Sequence, residues 1–270
     1  MISAPTQPHQ HPTWEVTSIE KRYRAKQASD SLLVGALLSV SGGLQDAYTY
    51  NVRDQVFANA QTGNIVLLGQ NLMLGNWGVA LRYLMPLIAF AGGVYMAEVI
   101  HNRFRTRGVA MHWRHAVLLV EITILLGVAW MPQSLNLPAN MLVSFVCAMQ
   151  VEAFRELEGS SYATTMCIGN LRSAMENLYY WRKTGEDRKR HKAFTYLIVI
   201  VFFLIGAAIG GVLSQSWGEM TILLCCPPLL LAFVLMLRIR ERHLRFLSLM
   251  TGAVEDEAVV KGEPDPNQEQ

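Results

Sequence analysis

Apolar residues fall into eight runs joined by short polar links: Ser31–Tyr50, Phe57–Leu74, Val79–Ile100, His115–Met131, Leu137–Phe154, Ala163–Trp181, Ala193–Gln215 and Glu219–Leu237. Several are about 17–22 residues long and apolar all round, the length that crosses a ~30 Å hydrocarbon layer. A soluble helix would confine its apolar residues to one stripe. The pattern therefore predicts an all-α, polytopic helical membrane protein. Two runs stand apart because they are polar. Phe57–Leu74 carries Asn59, Gln61, Thr62, Asn64, Gln70 and Asn71, and Ala163–Trp181 carries Asn170, Arg172, Glu176 and Asn177.

The two polar runs belong to a repeat. Asp46-Ala47-Tyr48 matches Glu152-Ala153-Phe154, and Gly63-Asn64 matches Gly169-Asn170, both at an offset of 106 (152 − 46 and 170 − 64). Ala91-Gly92-Gly93-Val94 is echoed by Ile209-Gly210-Gly211-Val212. Duplication follows, with two homologous halves, 29–131 and 132–240. They are flanked by a basic tail over 1–28, expected to be disordered and cytoplasmic, and a polar tail over 241–270.

Charge decides which runs cross. The net charge of +2 says little, but its placement is informative. Lys and Arg gather before Ser31, in Asn102–Arg114, in Arg182–Lys192 and after Leu237, whereas Pro132–Asn136 and Ser216–Gly218 carry none. Basic loops lie on the cytoplasmic side. Three runs lie between the first and second basic regions and three between the second and third, yet only an even number can cross in each interval. The polar run of each half is the one to set aside. The expected fold has inverted repeats of three spans each, plus one re-entrant or half-inserted helix per half, with both termini cytoplasmic. The rival has eight full spans in parallel repeats and puts Arg103–Arg107 outside.

These motifs also carry a resemblance. Gly43-Leu44-Gln45-Asp46-Ala47, Thr62-Gly63-Asn64, Gln150 to Ala153 and Thr164 to Gly169 resemble the marks of the YoaK family, bacterial multi-pass membrane proteins of unassigned function. Ile168 and Val151-Glu152 depart from the family pattern. The resemblance covers roughly Ser31 to Arg240 and implies a bacterial inner-membrane location. It names no activity.

The candidate pathway residues are Asp46, Thr62, Gly63, Asn64, Glu121, Glu152, Gly169 and Asn170. A Gly-Asn turn at membrane depth can start a helix whose free N–H groups attract polar solutes. The plainer alternative is close helix packing, with Asn bonding across. Asp46 and Glu152 are matched acids suited to a cation or a proton, or else to capping a helix or pairing with Arg53 or Arg155. Glu121 is an isolated acid about two turns inside its span. Arg172 and Glu176 are spaced to pair on one helix face. Pro227-Pro228 is expected to kink the last span, and Trp77, Trp130, Trp181 and Trp217 mark segment ends.

The four cysteines lack metal-ligand spacing and read as small buried residues. No soluble-enzyme motif is present, so no enzyme activity, cofactor, metal or nucleic-acid partner is expected. The sequence points to a small-solute transporter or channel with its pathway at the repeat interface. The alternatives are a non-transporting assembly or regulatory subunit, or a membrane-embedded lipid enzyme. Expected partners are membrane lipids and an unknown small solute, with a homo-oligomer left open.

Overall fold

The computed structural model describes residues 32–107, 113–157, 160–161 and 165–238. The expectations for the 1–28 and 241–270 tails lie outside the described residues. Seven helices follow in order: α1 (Leu32–Val52), α2 (Gln61–Met73), α3 (Trp77–Arg107), α4 (Trp113–Ala129), α5 (Asn136–Ala153), α6 (Cys167–Thr184) and α7 (Asp187–Trp217). A 3₁₀ stretch, Gly218–Cys225, then passes into α-helix over 226–238, labelled α8. Among the described residues the one β pairing is a two-residue hairpin, Glu156–Leu157 against Ser160–Ser161. The all-α expectation holds.

Three continuous helical stretches are long and apolar enough to cross a membrane: Trp77–Phe104, Gln133–Ala153 and Asp187–Arg238. The last contains both α7 and α8. The second of the two polar runs makes an 18-residue helix, α6, but the first makes only the 13-residue α2. At ~1.5 Å per residue α2 extends about 20 Å, short of a ~30 Å hydrocarbon layer.

Pro227 and Pro228 act differently from the expected kink. They sit in the first turn of α8, where the chain changes from 3₁₀ to α geometry. That position tolerates proline because the first N–H groups of a helix have no partner to lose. Arg172 and Glu176 form no ion pair among the described residues, and both side chains are exposed. Trp77 opens α3, Trp217 closes α7 and Trp130 follows α4, all exposed.

Glycine sets the closest helix contacts. A Cβ on Gly43 of α1 would collide with the backbone of Phe203 and Ala207 on α7. One on Gly206 would collide with the Val40 backbone, and one on Gly210 would press on Leu44 and Ala47. The contacts advance together along both helices, so α1 and α7 run parallel. Gly93 of α3 likewise leaves no room beside Phe145 and Ala148 of α5, and Arg155 approaches Glu98 at 3.8 Å, so α3 and α5 also run parallel. Where lipid tails are as apolar as leucine, close backbone approach is what joins helices.

α1 and α5 run antiparallel. Gln150 donates to the Leu38 carbonyl (3.3 Å) near one end, and Asn140 donates to the Arg53 carbonyl (2.7 Å) near the other. Arg53 closes that second end. Its fully buried guanidinium donates to the Tyr48 hydroxyl (2.7 Å), the Pro132 carbonyl (3.2 Å), Asn136 Oδ1 (2.9 Å), and the carbonyls of Val128 (3.2 Å) and Met131 (2.7 Å). Those five bonds match its five N–H groups. One acceptor, the Val128 carbonyl, lies in the last turn of α4 and another, that of Met131, just beyond it, at the helix end that attracts cations.

Candidate functional site

The site begins where α1 ends. Asp54 (φ 64°) and Gln55 (φ 58°) both adopt left-handed backbone conformations, which turns the chain back on itself. Arg82 on α3 approaches Asp54 at 3.8 Å on this turn. The returning loop then runs beside α1. Asn59 donates its backbone N–H to Asp46 Oδ1 (2.7 Å) and its side-chain amide to the Gly42 carbonyl (3.3 Å). The Asp46 carboxylate also meets the N–H groups of Ala58 and Ala60. These amides lead directly into α2 at Gln61, whose own flanking residue supplies no side-chain cap. Asp46 therefore holds, from another helix, the segment that leads into α2.

Asn64 fastens the same turn from inside α2. Its Oδ1 accepts the Phe57 N–H (3.1 Å), while its Nδ2 donates to the Phe57 carbonyl (2.7 Å) and to Gln61 Oε1 (2.8 Å). Asn64 is fully buried, and Gly63 gives the Phe57 ring space. Thr62 is exposed.

The second half repeats this geometry in part. α6 begins at Cys167 and α2 at Gln61, again an offset of 106 (167 − 61). Asn64 and Asn170 are thus the fourth residues of their helices, and both are buried. Thr165, just before α6, packs its methyl against Gly42, and the Cys167 thiol feels the Asp46 charge. Two helix beginnings, one from each half, meet at the middle of α1. From there they diverge. α2 returns toward the α1 end marked by Asp54 and Arg82, and α6 packs Ala174 with Tyr196, Val199 and Leu32 at the opposite end. Gly169 faces open space.

Glu152 does not reproduce Asp46. α5 stops one residue after it, whereas α1 continues six residues past Asp46. Glu152 instead pairs with Arg155 at 2.7 Å, one of the two arginine partners the sequence suggested.

Glu121 on α4 is fully buried, and its Oε1 accepts from Gln45 Nε2 (2.9 Å). The same Nε2 reaches Ser41 Oγ (3.0 Å), and Gln45 Oε1 accepts the Cys147 thiol. Cys147 lies beside the Asn59 side chain and feels both Glu121 and Asp46. Asp46, Glu121 and both helix beginnings thus share one buried polar region, away from Glu152. Gln45, Asn59 and Cys147 complete it. Their only sequence signal is polarity inside or beside an apolar run. The cluster presents carboxylate, amide and carbonyl oxygens at depth, donors suited to a polar solute or a hard cation.

One family model, described as a protein of unknown function (DUF1275), matches residues 34–236. No curated protein and no solved structure matches the chain.

Proposed function

The chain belongs to the DUF1275 family, and on that footing we propose that it is a small-solute transporter or channel of the bacterial inner membrane, with six crossings in two inverted halves. The crossing elements are α1, α3, α4, α5, α7 and the Gly218–238 segment. α2 and α6 enter from opposite faces and turn back. The motifs shared with the YoaK family remain the finer family reading.

The single observation behind this is the meeting of the two helix beginnings beside Gly42, with α6 packing toward Leu32 at one end of α1 and the chain that follows α2 reaching Asp54 at the other. Discontinuous helices at the interface of inverted repeats are a common way to build a solute site at mid-membrane. Irregular backbone at that depth is tolerated only where protein buries it or water lines it. The helix pairs agree: α1 with α7 and α5 with α3 each join the first span of one half to the second span of the other.

The test is solute flux. Purified protein in liposomes is challenged with glycerol, glycine and sodium chloride gradients, and volume change is followed by light scattering. Flux above empty liposomes, lost in a folded Asn64→Leu variant, supports the pathway. Flux unchanged by that variant overturns the assignment of Asn64. No flux for any solute, with one stoichiometric partner co-purifying, favours an assembly subunit.

A further inference from the structure

Asn59 holds an atom that the rest of the cluster leaves unanswered. Its backbone N–H and its Nδ2 are both used, on Asp46 and Gly42, yet its Oδ1 is buried with no hydrogen-bond partner. The residue is 7% exposed, so water does not freely reach that oxygen. A buried acceptor without a donor has given up its hydrogen bond to water and gained nothing in return. The Asn59 side chain lies against the Asp46 carboxylate and the Cys147 thiol, and Gln45 Oε1 and Glu121 lie around that thiol. The partners described for the Asp46 carboxylate are amide N–H groups, and Arg53 gives all five of its N–H groups elsewhere.

We propose that Asp46 and the Asn59 side-chain oxygen bind a small hard cation, Na⁺ in class, at the start of α2, with Gln45 Oε1 as the neighbouring acceptor. Carboxylate and amide oxygens are the donors such an ion takes. Asp46 supplies the charge. Asn59 supplies an oxygen that no protein donor competes for. The Cys147 thiol, a weak donor, can turn from Gln45 Oε1 without leaving a strong hydrogen bond unmade. The ion would tie the re-entrant turn to α1, so occupancy and the position of α2 would be coupled. Glu152, held by Arg155, offers no second copy of the site. One site per chain follows.

This deepens the pathway reading and rests on it for access to the site from one face of the membrane. The test does not rest on flux. The full chain, in detergent, is melted across a NaCl series at constant ionic strength with choline chloride, with KCl and CaCl₂ series in parallel and at two pH values. The expected result is a saturable rise in Tm with Na⁺ beyond choline. Asn59→Ala keeps the backbone N–H to Asp46, so it should fold yet need at least tenfold more Na⁺. Glu152→Gln should respond as the parent does. No cation-specific rise, a response to pH alone, or an equal Na⁺ response in Asn59→Ala would each overturn the site. A pathway without an ion site would still show flux, now independent of Na⁺, so the two failures are distinguishable.

Discussion

Arg53 Nη2 donates to the Met131 carbonyl at 2.7 Å, joining the residue just past α1 to the chain just beyond α4. The two residues are 78 apart in sequence, and the bond is one of five from a single buried guanidinium. Replacing Arg53 by methionine removes all five donors and leaves buried carbonyls unmet. Arg53→Met should lose at least about 3 kcal/mol of stability. Arg53→Lys should recover little, since an ammonium has three donors and no planar fork. Chemical or thermal unfolding in detergent checks both. Parent-like stability in Arg53→Met would contradict the clamp.

Glycine contacts make a sharper comparison. Gly206 has the Val40 backbone where a Cβ would sit, whereas Gly69 and Gly127 face nothing within 4 Å. Gly206→Leu should separate α1 from α7 and cost about 1–3 kcal/mol or more. Gly69→Ala and Gly127→Ala should be neutral or stabilise by up to about 1 kcal/mol, because alanine is the better helix former. The order of melting temperatures decides the matter.

Asn64 and Glu152 were matched by sequence logic to different partners, and their structural settings differ as well. Asn64→Leu strips three hydrogen bonds from the 57–64 turn and should cost about 1–3 kcal/mol. Glu152→Gln loses a pair whose arginine side chain is 60% exposed, so the cost should stay within about 1 kcal/mol. Equal losses in the two variants would argue against the turn being fastened by Asn64.

Much of this was legible in the sequence, for particular reasons. The starts of α2 and α6 fall at the same offset of 106 that the Gly-Asn pairs keep, because each Gly-Asn pair sits in the first turn of its helix. The burial of Asn64, Asn170 and Glu121 also follows from polar residues placed in apolar runs. Other features left no such mark. The partners of Arg53 are largely backbone carbonyls, which every residue carries. The reversal at Asp54 and Gln55 uses left-handed backbone without glycine or asparagine to announce it. The hold that Asp46 takes on the segment before α2 depends on a loop folding back, which spacing along the chain does not encode. The departure of Glu152 comes from α5 ending early, and helix ends are among the weakest signals in a sequence.

The central claim is that α2 turns back without crossing, and two cysteine labels test it directly. The four native cysteines are replaced by alanine, and single cysteines are introduced at Asn76, between α2 and α3, and at Thr106, at the far end of α3. An impermeant maleimide is applied to intact cells and to permeabilised ones. Six crossings place Asn76 outside and Thr106 inside, so Asn76 should label in intact cells and Thr106 only after permeabilisation. The reverse, Thr106 labelled in intact cells and Asn76 protected, would mean that α2 crosses, and would contradict both the re-entrant turn and the inverted repeat.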